Sequence, residues 1–236
     1  MRPLMRSWLV LLALLLVPVA LAGCAAEGVS SPQGCEASPT PCLQGAAVVV
    51  LKTAKGEVQM QLDGGAAPLT AGNFVDLVNR GTYNGTVFHR VVSEPVPFVV
   101  QGGDPQSANP KVSPTQYGMG NYLDPVSGES RMIPLEIKLQ GEAKPRYGEL
   151  LTAPGVTRKL DLVHQRGAVA MARSNDPNSA SAQFYIALQA LPELDGRYAV
   201  FGRVIKGMDV VERIQQGDKL LEARVLEGGT LVKPAR

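Results

Sequence analysis

Histidine and cysteine are scarce in this chain of 236 residues, which holds two of the first and three of the second. None of them has the spacing of a zinc site, and no metal or other cofactor is expected. Charge of one sign is also lacking. The 23 Lys+Arg stand against 21 Asp+Glu, and Arg2 and Arg6 supply the whole excess. A balanced remainder gives no reason to invoke nucleic acid. Aromatic residues make up only 5% of the chain, and the sole tryptophan, Trp8, lies near the start. Long apolar runs are missing as well, apart from Trp8 to Ala22, which Pro18 interrupts. That run is shorter than the roughly 20 residues that span a bilayer, so with Arg2 and Arg6 before it, it reads as an export signal.

What is present is 45% hydrophobic residues, enough to bury a sizeable core in one domain with appendages. The junction Leu21-Ala22-Gly23-Cys24 resembles a bacterial lipobox. This resemblance implies removal of a signal peptide at 1–23, lipid on Cys24, and an exported protein anchored on the extracytoplasmic or periplasmic face of a bacterial membrane. An ordinary secretory signal with a chance cysteine is the alternative. Lipidation of Cys24 would account for the odd cysteine, leaving Cys35 and Cys42 as a candidate disulfide or as two reduced thiols. Residues 24–45, rich in Ser, Pro, Gly and Ala, read as a flexible tether.

Beyond the tether, Ala47 to Lys52 and Val58 to Leu62 flank Ala54-Lys55-Gly56 as a hairpin. Pro68 near a helix start, Thr70 as its cap, and Phe74, Leu77 and Val78 at helical spacing predict a short helix ending near Gly81. Further strands are expected at Thr86 to Val92, Phe98 to Gln101, Ala168 to Ala172, Phe184 to Leu188 and Ala199 to Val204. A second helix is expected at Gly207 to Gln216, and a last strand or hairpin between Leu220 and Val232. Many short strands with two helices indicate an all-β barrel or sandwich. Residues 105–165 are too long for a structureless connection and should contain ordered pieces or a functional loop.

Three segments carry the chemistry. Phe88-His89-Arg90-Val91-Val92 is followed by Phe98-Val99-Val100-Gln101-Gly102-Gly103-Asp104, which puts a guanidinium, a phenyl ring and an amide on consecutive strand-like pieces. Such a set can grip one proline and the carbonyl before it. The block from Gly167 to Ile186 ends in Gln183-Phe184-Tyr185-Ile186, and Leu194-Asp195-Gly196-Arg197-Tyr198-Ala199-Val200-Phe201-Gly202 follows. In this order the segments resemble the signature of cyclophilins, the peptidyl-prolyl cis-trans isomerases.

The resemblance implies a closed eight-stranded antiparallel barrel capped by two helices over residues 46–232, with an expanded insertion at about 105–165. Arg90 then matches the catalytic arginine and Gln101 the glutamine that holds a substrate carbonyl. Phe98 matches the pocket floor, Val99 stands where methionine is usual, and Tyr185 and Leu194 match walls. Tyr198 stands where many bacterial members have tyrosine. Ala172 and Arg173 lie on the strand edge that pairs with substrate backbone. His89 should shape the site by hydrogen bonding, and His164 should be structural or exposed. The chain departs from the pattern at Ser93 to Pro97, at Met171 to Asn178, and at Glu193, where cyclosporin-binding members place tryptophan. The resemblance points to a monomer that acts on proline-containing polypeptides and helps exported proteins fold. A non-catalytic proline-peptide binding or assembly module using the same groove is the competing class.

Overall fold

A computed structural model describes residues 34–36 and 38–233. The expected signal peptide, Cys24 and the first part of the expected tether lie outside them. The elements run β1 (Cys42–Leu43), β2 (Ala46–Thr53), β3 (Gly56–Asp63), α1 (Pro68–Asn79), β4 (Arg90–Val91) and β5 (Val99–Gly102). There follow β6 (Glu136–Ile137), β7 (Arg146–Tyr147), α2 (Pro154–Thr157), β8 (Ala168–Met171) and β9 (Phe184–Ala187). The last are β10 (Val200–Lys206), α3 (Met208–Arg213), β11 (Leu220–Gly228) and β12 (Leu231–Val232).

Eight strands in the order β11-β2-β3-β10-β8-β9-β5-β4 form one antiparallel sheet, curled into a half-barrel. Closure and a helix at each end go beyond this ladder. β4 and β11 are its outer strands, and the segments before them are linked by Phe88 N–H to Asp218 O (2.9 Å) and Leu220 N–H to Thr86 O (2.8 Å). Only Arg90–Val91 of the expected strand from Thr86 pairs as a strand. α3 is shorter than expected, because Gly207 enters it at φ 85° and Ile214 leaves it in an extended conformation.

Alternation builds the core. In β3, Val58, Met60 and Leu62 are buried between more exposed neighbours, and they face the helix side of the sheet with Val49, Leu51 and Phe201. A tight turn at Ala54-Lys55 sets this register, with Thr53 Oγ1 donating to Gly56 O at 2.9 Å. The helix α1 packs Phe74 against Tyr83, Phe184 and Phe201, its ring centroid 4.8, 5.2 and 5.2 Å from theirs. Removing a ring from such a site typically costs about 3–5 kcal/mol.

Two expectations are corrected here. Thr70 does not cap α1; it is buried within the first turn, and the preceding Ala67 has no capping side chain. The buried helix end still leaves N–H groups that need acceptors. Glu136, in the insertion, supplies them, accepting from Leu69 N at 3.0 Å and Thr70 N at 2.7 Å. Residues 40–43, for their part, do not belong to a flexible tether. Thr40, Cys42 and Leu43 are buried, β1 pairs with β12, and Cys35 is disulfide-bonded to Cys42. Pairing with the C-terminal strand gives this small-residue segment the contacts that its composition alone does not promise.

The stretch 105–165 is ordered. Arg131 meets Asp76 of α1 at 2.6 Å. Leu135, Ile137, Leu139, Leu151 and Leu160 form a satellite core with Ala199.

Candidate active site

The site lies where β8 and β9 are buried on both faces. One face of these strands, with Val169, Met171, Phe184 and Ile186, belongs to the main core. The other face, with Ala168, Ala170, Tyr185 and Ala187, joins Val99 of β5 in a second cluster against which Phe98, Leu194 and Tyr198 pack. Registration then aligns the candidate side chains across strands: Arg90 pairs with Gln101, Gln101 with Tyr185, and Tyr185 with Ala170. Directly opposed residues share a face. Two residues along β5 from Gln101, Val99 points the same way.

These residues surround a groove of about 360 Å³ lined by Arg90, Phe98, Val99, Gln101, Ala172, Arg173, Tyr185, Leu194 and Tyr198. The structure thus brings together all nine positions that the sequence suggests for catalysis and substrate binding. Arg90 is exposed, its guanidinium carbon 5.4 Å from the centre of the Phe98 ring. Its Nη1 donates to Gln101 Oε1 over 3.5 Å. No carboxylate is among the described residues lining the groove. A second hollow of about 390 Å³ adjoins it, sharing Gln101, Ala172 and Arg173.

A polar chain leads inward from Gln101. Its Nε2 donates to Gln183 Oε1 (3.3 Å), and Gln183 Nε2 donates to the carbonyls of Gly118 and Gly120, both at 2.9 Å. The buried Asp104 carboxylate holds the same loop by accepting from Gly118 N at 2.7 Å and Gly120 N at 3.3 Å. A Cβ at residue 120 would stand 2.1 Å from Asp104 Oδ1, so any larger residue than Gly120 would displace that carboxylate from the loop it holds.

The opposite wall is aromatic. Tyr198 meets Tyr185 edge-on, with centroids 5.8 Å apart, and the Arg173 guanidinium stacks 4.7 Å from the Tyr198 ring centre. Arg173 is fixed in that position by donating to Arg197 O from Nη2 at 2.6 Å and from Nε at 2.9 Å. Its side chain therefore forms wall, beyond any part its backbone plays. Ala172 N–H is used internally, donating to Gln183 O at 2.9 Å.

The two histidines stand in different surroundings. Neither ring nitrogen of His89 makes a hydrogen bond of good geometry, although the Val87 backbone and the Gln183 side chain stand near enough to favour its protonated form. Burial pushes its pKa down, Asp104 opposing, and the ring acts as packing beside Gly118. His164 is buried, with Nδ1 2.8 Å from Asp195 Oδ1 and Nε2 2.9 Å from the Tyr185 hydroxyl. Burial raises Tyr185 well above the ordinary tyrosine range, which keeps that hydroxyl protonated.

Sequence reasoning missed the parts played by Asp104, Gln183, His164 and Asp195. Asp104 and Gln183 stand inside the motif strings, and their place there is the one signal they give. Nothing in the linear pattern links His164 to Tyr185.

Comparison with known proteins agrees with this geometry. The profile of the family described as cyclophilin type peptidyl-prolyl cis-trans isomerase matches residues 48–233. The chain is 39% identical over 198 residues to a putative thylakoid lumen peptidyl-prolyl cis-trans isomerase of Synechocystis sp., covering 80% of this chain and 49% of that protein. It therefore spans about half the length of that relative. A probable peptidyl-prolyl cis-trans isomerase of Brucella suis is 32% identical over 185 residues, covering 78% of this chain and 80% of the relative. Among solved structures, a Cryptosporidium parvum cyclophilin type isomerase determined in the presence of the dipeptide Ala-Pro superposes with a TM-score of 0.51 at 25% identity, covering 80% and 99% of the two chains. A cyclophilin from Hirschia baltica shares the fold at a TM-score of 0.53 and 23% identity, covering 80% and 78%. From its motifs, its sheet and these relatives, the chain belongs to the cyclophilin-type peptidyl-prolyl cis-trans isomerase family.

Proposed function

We propose that this groove catalyses rotation about X-Pro bonds in exported polypeptides, with Arg90 as the catalytic cation. The observation that carries the reading is the row Arg90, Gln101, Tyr185 beside Phe98 in one groove. A peptide C–N bond resists rotation by about 18–20 kcal/mol because the nitrogen lone pair is conjugated with the carbonyl. The proline ring sits on Phe98 between Val99, Leu194 and Tyr185, and Gln101 holds a substrate carbonyl. As the bond twists, the lone pair leaves conjugation and becomes able to accept a hydrogen bond. Arg90 then interacts more strongly with the twisted state than with either planar one, which is the differential binding that accelerates a step. An acceleration of about 10⁵ requires about 7 kcal/mol, within reach of a charge-assisted contact together with positioning. No covalent intermediate is needed.

The fine features of the fold and location belong to the same reading: a barrel closed along 85–88 and 217–220, a lipid on Cys24, and a folding helper on the outer face of a bacterial membrane. More than one acyl chain gives lasting attachment, each buried methylene contributing about 0.8 kcal/mol. The test is a protease-coupled isomerisation assay of the full chain on an Ala-Pro tetrapeptide. Saturable turnover is expected, and a rate equal to the uncatalysed one would contradict the reading. Cys24→Ser should release the protein from membranes or leave the signal uncut. Mass spectrometry showing an unlipidated wild type would remove the anchor.

A further inference from the structure

Two walls of the groove come from separate parts of the chain. Tyr185 stands on β9, while Leu194 stands on the short helical turn Pro192–Leu194. His164 joins them. Its Nε2 meets the Tyr185 hydroxyl at 2.9 Å, the two rings lying nearly parallel at 12° with centroids 5.9 Å apart. Its Nδ1 and its backbone N–H both reach Asp195 Oδ1 at 2.8 Å, and Asp195 directly follows Leu194. The backbone carbonyl of His164 accepts from Leu191 N at 2.8 Å, and Leu191 O accepts from Leu194 N at 3.0 Å. The turn is thus fastened at both ends to His164.

The chemistry fixes the direction of each bond. Asp195 Oδ1 already accepts the His164 backbone N–H, so it is an acceptor for the ring as well, and Nδ1 carries the proton that goes to it. Burial lowers the His164 pKa despite Asp195, leaving the imidazole neutral. Nε2 is then an acceptor, and the Tyr185 hydroxyl donates to it. A neutral imidazole bridging a phenol and a carboxylate has one arrangement that satisfies all three groups, and it holds the ring in one orientation.

We propose that His164 is a positioning residue that sets the width of the proline pocket by locking the Tyr185 wall to the Leu194 turn. It touches no substrate and acts through both walls. It should therefore govern how well a proline peptide is held and leave the twisting step to Arg90. This inference rests on the reading of the groove as the isomerase site.

The test compares wild type, Tyr185→Phe, His164→Leu and the double variant by steady-state kinetics on an Ala-Pro tetrapeptide and by NMR titration of the same peptide. Tyr185→Phe removes one hydroxyl and keeps the ring, so it decides the matter even if His164→Leu does not fold. The expected result is a five- to tenfold rise in KM and in Kd for each single variant, with kcat within twofold. The double variant should be no worse than His164→Leu alone, because that substitution already cuts the link that Tyr185→Phe removes. A purely structural role would lower thermal stability and leave KM unchanged. An unchanged Kd in folded Tyr185→Phe, or additive losses in the double variant, would overturn the proposal. If wild type binds peptide without turning it over, the isomerase reading fails while the Kd ratio still judges the brace.

Discussion

On the β4–β5 side of the groove, Arg90 is exposed and reaches Gln101 over 3.5 Å, and Gln101 reaches Gln183 over 3.3 Å. On the β9 side, Tyr185 is buried and tied to His164 at 2.9 Å, and His164 to Asp195 at 2.8 Å. In the proposed reading the two sides face one substrate and do different work. A wall that holds the proline ring can be finished before substrate arrives, since the ring has the same shape in either isomer. A cation that must favour the twisted bond gains from incomplete contacts that tighten only as the bond rotates.

The comparison breaks most visibly at Arg90. Arg90→Ala should lower kcat/KM for an Ala-Pro peptide by about 10²–10³, the cost of one preorganised charge-stabilising donor. Circular dichroism should be unchanged, because the side chain is exposed and outside the core. Arg90→Lys should restore only part of the rate, since a point charge lacks the planar fork. Near-normal turnover by Arg90→Ala would reverse the division of labour between the two sides.

Phe98→Ala attacks the floor both sides share. Losing an apolar contact of about 1.5–3 kcal/mol should cost roughly 10- to 100-fold in kcat/KM, most of it through a higher KM. A loss confined to kcat would place Phe98 on the catalytic side instead.

Gln183→Ala sharpens the contrast further. It removes the group that orients Gln101 and holds the 118–120 loop, at about 1 kcal/mol for each neutral hydrogen bond. A three- to tenfold fall in kcat with KM nearly unchanged is expected, the opposite split from that at His164. Equal changes in both parameters would show that the loop forms part of the pocket.

The smallest effect concerns pH. His89 has a folded-state pKa below its ordinary 6.5, chiefly through burial. The unfolded chain therefore takes up a proton that the folded chain refuses. Its contribution to stability is complete above about pH 6.5 and declines as pH falls toward the folded value. Replacing the largely buried ring by His89→Leu should flatten the fall in melting temperature between pH 7.5 and 5.5. A slope identical to that of wild type would mean that the imidazole is solvated in the folded state.

Legibility in the sequence follows how locally each feature is determined. Arg90, Phe98 and Gln101 were readable through the resemblance their segment carries, and they stay together in it because β4 and β5 are adjacent in the chain. The hairpin around Lys55 and the stripe of α1 were readable from their local pattern. Glu136 as the acceptor for α1 was not, because it lies 67 residues from Leu69 and a buried carboxylate gives no local pattern. The strand Cys42–Leu43 was hidden in a polar, small-residue stretch, since its stability comes from Leu231–Val232 at the far end of the chain. His164 looked like a lone histidine because its partners stand 21 and 31 residues away.

The most direct measurement is NMR exchange spectroscopy on one Ala-Pro peptide with wild type and Arg90→Ala, reading affinity and cis-trans exchange in the same samples. Catalysis by differential binding predicts a fall of about 100-fold in the exchange rate with affinity changed by less than about threefold. Loss of both in equal proportion, or exchange as fast as in wild type, would contradict it.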